Sequence, residues 1–336
     1  MKKIVIYGLG YYGIAIANYL YANSEKLDVE IIACTDKRDI ILENHKLRFV
    51  KRDIINMLNF DLIIVTSNKW YQDIKDELIN EFHIAASRII LFEDYIKNVF
   101  PDDNHYCNVC KKSQKIFFPF GINNPIFDEF HIIGGGARKT GACPDCGCID
   151  RNRWVWFVIQ NYTDILKKEC DVLHIAPERN IGNFLRKSLK ERYITGDIIL
   201  NKADYKVDLT KMQFEDGTFD FIICNHVLEH IPEEKKAFSE MKRCLKHNGY
   251  IMISFPICKD RDTYEDSSIQ TDEERLKAYG QADHCRIYGK DAKQYLEAFD
   301  LDVTEYTVNH ILIQSEIDRL GLIDEDTVFI CSKKEG

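Results

Sequence analysis

Residues 218–257 constrain the fold of this chain more than any other stretch. Residues 219–224 form a short apolar run without proline or glycine, which is typical of a buried parallel strand. Pro232 predicts the start of a helix, and a core-facing stripe at helical spacing follows in Ala237, Phe238, Met241 and Leu245. Asn248-Gly249 predicts the end of that helix, and residues 250–255 predict a second buried strand. The stretch is therefore a βαβ unit, whose strands end at the edge where open α/β sheets bind ligands.

The composition limits the class of protein. A length of 336 residues predicts two or three domains, and 45% hydrophobic residues are enough to build their cores. There is no long uncharged apolar run, so we expect no transmembrane helix. The twelve cysteines stand mostly singly in apolar segments, which is typical of a reduced, cytoplasmic protein. The net charge of −9 opposes strong non-specific binding of nucleic acid.

Residues 1–100 predict a small Rossmann-like α/β domain. A strand at residues 3–7 leads into a G-x-G-x-x-G turn at Gly8, Gly10 and Gly13, and a helix follows. Asp36 stands at the end of the next strand, where it could accept hydrogen bonds from a ribose. The motif thus predicts a nucleotide or nucleotide-sugar site, and the alternative is that the glycines only permit tight packing. Hydride transfer is not expected, because no catalytic residues follow.

Residues 101–153 predict a small zinc ribbon after a linker at residues 101–104. Two C-x-x-C pairs, Cys107 with Cys110 and Cys143 with Cys146, supply the four thiolates of a tetrahedral, structural zinc site. A redox role would need a thioredoxin-like helix, which the segment lacks. Three neighbours could substitute as ligands, although we expect each to be an ordinary local residue: His105, His131 and Cys148.

Basic residues crowd the same segment, in Lys111, Lys112, Lys115, Arg138, Lys139, Arg151 and Arg153. For the lysines a solvated surface is the simpler interpretation. For Arg151 and Arg153 we expect a functional role in binding an anion, because they directly follow the second cysteine pair and enter a helix.

Residues 154–336 resemble the class I S-adenosylmethionine-dependent methyltransferases. The resemblance rests on Asp220 with the H-V-L-E-H run at residues 226–230 and on the K-H-N-G turn. It implies a seven-stranded sheet, with strands at residues 171–175, 193–195, 206–209, 219–224, 250–255, 301–308 and 327–331. From the second cysteine pair to Gly289, the chain is similar to bacterial methyltransferases fused to a cysteine-knuckle segment, often linked to surface-glycan or secondary-metabolite pathways.

The resemblance also implies a site for S-adenosylmethionine. The loop after the first strand departs from the family's D-x-G-x-G, but its Glu178 could hold the donor's ammonium group. Asp197 corresponds to the acid that binds the ribose hydroxyls, and Asp208 with Leu209 to the adenine contact. The remaining donor-site residues implied are His174, Ala176, Asn225 and His226. His226, Glu229 and His230 could suggest a metal, but their order is the reverse of H-E-x-x-H, and the methyltransferase resemblance accounts for them better.

The polar insert at residues 258–289 is too long for an ordinary loop and predicts a lid or substrate wall. Transfer of a methyl group to a hydroxyl or amine needs a proton acceptor. His284 is our first candidate because a histidine ordinarily titrates near neutral pH, and Asp283 and Glu265 are the second choices. The alternative is that His284 only makes a hydrogen bond within the lid.

Three functions remain open from the sequence. The first is a cytoplasmic methyltransferase of a small hydroxylated or phosphorylated metabolite, such as a nucleotide-linked sugar. The second is an RNA methyltransferase with a zinc module, which the basic segment favours and the overall acidity opposes. The third is a non-catalytic nucleotide-binding or regulatory protein whose altered first loop no longer holds the donor. Oligomeric state and methyl acceptor are not encoded in these motifs.

Overall fold

The computed structural model describes residues 1–42, 46–99, 104–121, 124–199 and 201–334. The chain divides into two compact units. The first unit comprises Met1–His105, Ser113–Phe120 and Arg138–Pro144, and the second comprises Tyr106–Lys112, Gly121–Ala137 and Asp145–Gly336. Residues of the 101–153 segment are therefore shared between the units, and most of its predicted linker (101–104) lies outside the described residues.

The first unit contains a four-stranded parallel sheet in the order β2-β1-β3-β4. Its strands are β1 (Lys2–Tyr7), β2 (Val29–Thr35), β3 (Leu62–Val65) and β4 (Ile89–Leu91). Its helices are α1 (Tyr11–Ala22), α2 (Ser24–Leu27), α3 (Tyr71–Asn80) and α4 (Phe92–Val99), with two 3-10 turns at Arg52–Met57 and Ala86–Arg88. β1 lies where the sequence predicts a strand, and its residues Ile4, Val5 and Ile6 are buried, as are Ile63, Ile64 and Val65 of β3.

The segment that follows is made of short elements. Its strands are β5 (His105–Cys107), β6 (Lys112–Gln114), β7 (Phe118–Phe120), β8 (Ile132–Ile133) and β9 (Arg138–Ala142), and its helix is α5 (Pro125–Glu129). The Asn124 side chain accepts a hydrogen bond from the Ile126 N–H, and Pro125 occupies the first turn, so this helix has a regular start.

The second unit is built on a seven-stranded sheet in the order β12-β11-β10-β13-β14-β19-β18. Its main strands are β10 (Val172–Ile175), β11 (Tyr193–Asp197), β12 (Tyr205–Lys206), β13 (Phe219–Asn225), β14 (Leu245–Ser254), β18 (Leu301–Thr307) and β19 (Thr327–Lys333). The first five are parallel to one another, and β19 runs antiparallel to both neighbours. This is the sheet that the class I resemblance implies.

Helices and short strands complete the second unit. The helices are α6 (Asp150–Tyr162), α7 (Arg179–Leu189), α8 (Glu234–Cys244), α9 (Asp272–Tyr279), α10 (Ala292–Glu297), α11 (Val308–Ile311) and α12 (Gln314–Leu320). Two 3-10 turns lie at Lys190–Arg192 and Leu228–His230, and the short strands are β15 (Ile257–Cys258), β16 (Tyr264–Glu265) and β17 (Arg286–Ile287). Among the described residues, no helix has both the length and the apolar character needed to cross a bilayer.

The predicted end of the helix in the βαβ unit is wrong. The helix starts at Glu234, two residues after Pro232, and ends at Cys244, while Leu245 already belongs to β14 and pairs with Phe219. Gly249 is not a helix stop with positive φ. A Cβ atom there would lie 2.8 Å from Leu245 Cγ and 2.9 Å from the Asp220 carbonyl oxygen, so the glycine instead permits close approach at a bulge between β13 and β14.

The insert at residues 258–289 is a folded element that shares a small apolar core with the segment around α5. Residues from the insert pack with residues from the segment around α5 in one apolar cluster: Ile126, Phe127, Ile132, Cys258, Tyr279 and Ile287. β15 also pairs with β8. Because β15 follows the end of β14, this cluster lies on the side of the sheet where the parallel strands end.

Candidate methyl-donor site and cysteine cluster

The parallel strands of the second unit bring the predicted donor-site residues to one edge of the sheet. Ile175 at the end of β10 pairs with Gly196, so that Ala176 and Asp197 are the next residues on their chains. Ile175 also pairs with Cys224, which places Asn225 beside the same end. The carboxyl edge of three neighbouring strands therefore gathers Ala176, Asp197 and Asn225, as the resemblance predicts.

A buried hydrogen-bond network holds Glu178 at this edge. The two ring nitrogens of His174 contact the Tyr193 hydroxyl at 2.8 Å and Glu178 Oε2 at 2.6 Å. Asn225 Nδ2 donates to Glu178 Oε1 at 3.3 Å and Asn225 Oδ1 accepts from Ser254 Oγ at 2.9 Å. The ring of His174 is fully buried, so it positions Glu178, and we no longer expect it to contact the donor.

The carboxyl group of Glu178 is held in its ionised form. Burial by itself raises its pKa, but the hydrogen bond and charge of His174 outweigh that effect and lower the pKa below its usual value. The Arg151 guanidinium also contributes to the lowering. An ionised carboxylate at the end of β10 fits the ammonium group of S-adenosylmethionine.

Two residues at this edge have a backbone conformation that non-glycine residues seldom adopt. Ala176, directly after β10, has φ 46°, and His226, directly after β13, has φ 53°. Their N–H groups donate to the carbonyl oxygens of Gly196 and Ser254, both at 2.7 Å, which holds the strained turns in place. Ala176 stands where the family has a glycine, and its left-handed backbone explains why glycine suits that position.

Replacing Ala176 by glycine is expected to leave the stability unchanged or to raise it by up to about 1 kcal/mol. Relief of the left-handed strain, about 1–2 kcal/mol, offsets the greater backbone freedom that glycine has in the unfolded chain. In the matched control Ala278→Gly, within α9, the same change costs about 1 kcal/mol because no strain is relieved. Urea denaturation measures both, and an equal loss in the two variants would contradict the strain at Ala176.

The two predicted acids differ in their surroundings. Asp197 Oδ1 accepts from the Ile199 N–H at 2.8 Å, and Oδ2 has no hydrogen-bond partner among the described residues, so one oxygen is available to a ribose. Asp208 is exposed, and its Oδ1 accepts from the N–H and the hydroxyl of Thr210, which lower its pKa and form a local turn. The side chain of Leu209 lies in the main core, so that only its backbone can face adenine.

The three predicted proton acceptors have different surroundings. His284 is 2% exposed, and burial lowers its pKa to about 4, below the usual value of a histidine. Glu265 Oε2 accepts a hydrogen bond from Arg286 Nε at 2.9 Å. Asp283 is 71% exposed, and its Oδ2 lies 3.2 Å from His230 Nδ1.

Glu229 is a residue that the sequence did not single out as a titrating group. It is 2% exposed, and burial raises the pKa of its carboxyl group to about 8. Its Oε1 lies 3.4 Å from His226 Nδ1, and together with His230 and His284 it forms a group whose ligand atoms lie within 4.8 Å of one another. The sequence contained one indication of this group, the Glu229-His230 pair in H-V-L-E-H. The burial of Glu229 and the proximity of His284 depend on the tertiary fold.

Arg151 lies at the candidate site. Its Nη1 contacts His226 Nδ1 at 3.1 Å, so the guanidinium lies beside the strained end of β13. The role in binding an anion that the sequence suggests for Arg151 stays a prediction.

The functional role expected for Arg153 is not supported. Its side chain is fully buried, and its guanidinium donates to the carbonyl oxygens of Leu320 at 2.6 Å, Gly321 at 2.7 Å and Cys148 at 3.1 Å. Bonds to three carbonyls satisfy the buried charge without any bound anion. Arg153 therefore stabilises the end of α12.

The four predicted cysteine ligands come together. The sulfur atoms of Cys107, Cys110, Cys143 and Cys146 lie within 4.8 Å of one another, and those of Cys107 and Cys146 are 3.8 Å apart. A zinc–sulfur bond of about 2.3 Å in a tetrahedron gives a sulfur–sulfur separation of about 3.8 Å. Cys148 Sγ lies 3.2 Å from Cys107 Sγ, which is closer than two zinc ligands stand. The arrangement can hold a metal ion, and the four-thiolate set suits zinc.

The glycine motif of the first unit is tightly packed. A Cβ atom on Gly13 would lie 1.8 Å from the Gly8 carbonyl oxygen, and Gly8 has φ +99°, so both positions require glycine. Around Gly10 no heavy atom lies within 4 Å of such a Cβ. Asp36 accepts from the Leu9 N–H at 2.6 Å and from the Arg38 N–H at 3.0 Å. The carboxylate of Asp36 thus accepts its hydrogen bonds from nearby backbone N–H groups. This favours the interpretation that the motif serves packing over a contact with ribose.

Comparison with known proteins agrees with this geometry. Residues 170–253 match the family model of a methyltransferase domain, and residues 1–90 match one described as C2185-like, N-terminal. An uncharacterized methyltransferase of Schizosaccharomyces pombe is 25% identical over 127 residues, which cover 38% of this chain and 42% of that protein. An uncharacterized protein of Methanocaldococcus jannaschii is 28% identical over 130 residues, covering 38% and 47%.

The chain spans less than half the length of these curated relatives. Among solved structures, an S-adenosylmethionine-dependent methyltransferase from Archaeoglobus fulgidus is 17% identical, with 62% of this chain and 98% of that chain covered and a TM-score of 0.36. The family match covers β10, β11, β13 and most of β14, which carry the candidate site. Residues 170–253 are thus similar to a methyltransferase domain, and they lie in the unit whose seven-stranded sheet has the arrangement that the class I resemblance implies.

Proposed function

We propose that this protein is an S-adenosylmethionine-dependent methyltransferase of a small hydroxylated or phosphorylated metabolite, such as a nucleotide-linked sugar or glycan precursor. The observation that carries the proposal is the carboxyl edge of β10, β11 and β13. This edge gathers an ionised carboxylate, Glu178, and a second acid, Asp197, with one oxygen that has no hydrogen-bond partner among the described residues. The strained turns at Ala176 and His226 lie beside them. The cysteines outside the two C-x-x-C pairs stand mostly singly in apolar segments, which supports a reducing compartment such as the cytoplasm.

Two acids would bind different parts of the donor. Glu178 would attract the donor's ammonium group, and Asp197 Oδ2 would accept from the ribose hydroxyls. Bound S-adenosylmethionine supplies an electrophilic methyl group on a positively charged sulfur. His284, Asp283 and Glu265 stay the predicted proton acceptors, and the lowered pKa of His284 makes it a weak one near neutral pH.

Three basic residues of the cysteine-rich segment give little support to an RNA methyltransferase. Arg153 is buried against backbone carbonyls, Arg151 contacts His226, and Lys112 Nζ lies 3.3 Å from the Asp145 carboxylate. These contacts occupy charges that would otherwise face phosphates, and the chain as a whole is acidic. One curated relative, phosphoethanolamine N-methyltransferase 2 of Caenorhabditis elegans, is named for a small phosphorylated substrate, although the match covers only 13% of it.

We also propose a structural zinc ion in the cysteine cluster and, with less support from the geometry, a nucleotide at Gly8, Gly10, Gly13 and Asp36. The zinc proposal rests on the sulfur separations. In the first unit, the open space around Gly10 favours a bound ligand. The carboxylate of Asp36 opposes one, because it already accepts a hydrogen bond from the Leu9 N–H.

Titration with S-adenosylmethionine tests the function. We expect one donor bound per chain by calorimetry, and transfer of a labelled methyl group to one of a panel of nucleotide sugars and phosphorylated metabolites. Transfer to bulk RNA that weakens steeply between 50 and 200 mM salt (about 10³–10⁵-fold for a binder with many phosphate contacts) would favour the RNA alternative instead. A folded protein without donor binding would indicate the regulatory alternative.

A further inference from the structure

A group of metal-ligand side chains adjoins the donor site but is not used by it. Glu229 and His230 lie in the 3-10 turn after β13, and His284 lies in the insert just before β17. Each offers one ligand atom, and the three atoms lie within 4.8 Å of one another. All three residues belong to the second unit.

The two histidines are oriented as metal-bound histidines usually are. His230 Nδ1 lies 3.2 Å from the Asp283 carbonyl oxygen and 3.2 Å from its carboxylate Oδ2. A proton on Nδ1 that is donated to these oxygens leaves Nε2 as the nitrogen with a free electron pair. The His284 ring also has a hydrogen bond with the backbone of Tyr279, which restrains its orientation. The two rings meet edge to face, with centroids 4.7 Å apart.

Glu229 supplies an independent observation. Its side chain is 2% exposed, and among the described residues its Oε2 has no hydrogen-bond partner. An unsatisfied buried carboxyl oxygen costs about 1–3 kcal/mol, and more when charged, so buried groups of this kind usually have a ligand or a partner. A cation at the group of three would provide that partner.

We propose that Glu229, His230 and His284 bind a divalent transition-metal cation, such as Mn²⁺ or Zn²⁺, and that the cation coordinates a hydroxyl oxygen of the methyl acceptor. The acceptor role rests on the proposed methyltransferase function, whereas the cation site does not. Two imidazoles and one carboxylate suit such cations better than Mg²⁺ or Ca²⁺, and three protein ligands leave positions open for a substrate. His230 is 34% exposed, so the group can be reached from solvent.

A series of side-chain contacts connects this group to the donor site. Glu178 contacts Asn225, the next residue His226 contacts Glu229, and Glu229 belongs to the group. A bound cation lowers the pKa of a coordinated hydroxyl, whose proton then leaves to solvent. The oxygen forms a bond to the methyl carbon, and the sulfur–carbon bond breaks with its electron pair remaining on sulfur. His284 then acts as a ligand, in place of the proton acceptor expected from the sequence.

Binding of Mn²⁺, followed by the loss of the free-ion signal in electron paramagnetic resonance, tests the site in the full chain. The cysteine cluster is first filled with one equivalent of zinc per chain, which the four thiolates take up in preference to the group of two histidines and one carboxylate. We expect one Mn²⁺ per chain in the unchanged protein and at least tenfold weaker binding in Glu229→Gln and in His230→Ala. The control His247→Ala removes an exposed histidine from the opposite end of β14 and should bind Mn²⁺ normally.

Equal Mn²⁺ binding in the unchanged protein and both variants, or no binding by the unchanged protein, would overturn the proposal. His230→Ala keeps the test valid if the buried Glu229→Gln fails to fold. Donor affinity, measured separately by calorimetry, is expected to change less than threefold in His230→Ala. Loss of Mn²⁺ with donor binding intact therefore concerns the cation site alone, whereas absence of donor binding in every protein would reject the proposed function.

Discussion

Replacement of Cys143 by serine is expected to remove the zinc ion and several kcal/mol of folding stability. Four thiolates around one zinc ion contribute binding free energy that is also folding free energy, about 10–16 kcal/mol in isolated zinc-finger peptides. The purified protein should contain about one zinc per chain by elemental analysis. The variant should contain about none and unfold at a clearly lower temperature.

Cys148→Ser is the matched control for this change. Cys148 is buried and its sulfur lies 3.2 Å from that of Cys107, but it is outside the group of four. We expect this variant to keep its zinc. Zinc retained by Cys143→Ser and lost by Cys148→Ser would show that the ligand set is wrong, and absence of zinc from the unchanged protein would remove the metal altogether.

The second large effect is expected at Asp197. Its replacement by alanine removes a charged acceptor from two ribose hydroxyls, a loss of about 1.5–3 kcal/mol, or about 10–150-fold in the affinity for S-adenosylmethionine. Asp197→Asn keeps an acceptor oxygen without the charge. Its affinity for the donor should lie between those of the unchanged protein and Asp197→Ala. Calorimetric titration with the donor measures all three proteins.

Asp302→Ala is a suitable control, because Asp302 is an exposed acid on the edge strand β18. It should bind the donor with unchanged affinity. If a folded Asp197→Ala variant also binds normally, the ribose does not lie at the end of β11 and the donor has been placed wrongly.

The sequence predicted β1 and the strands of the seven-stranded sheet well where apolar runs are short and bounded by turns. β13 begins at Phe219 as predicted and extends only one residue beyond the predicted end. The predicted end of α8 was wrong for a physical reason. Leu245 continues the helical spacing of Met241, but Leu245 pairs with Phe219 and therefore belongs to strand β14. Helical periodicity describes one face of an isolated segment and contains no information about a neighbouring strand.

Charge patterns were a weaker guide than apolar patterns. Arg151 and Arg153 are two positions apart and look equivalent in sequence, yet one contacts His226 at the candidate site and the other is buried among carbonyl groups. Successive positions on a helix face different directions, so only the packing of α6 distinguishes the two.

The sequence by itself predicted the strands of the second unit, the four cysteines that come together and the acids at the strand ends. These follow from local rules, because apolar runs specify strands, paired cysteines indicate a metal site, and parallel strands bring their ends to one edge. Only the tertiary structure decided that His174 positions Glu178 and that Glu229 is buried. It also decided that His284 meets His230 from 54 positions away, because such proximity arises from the packing of the insert against the end of β13 and leaves no periodic signal in the chain.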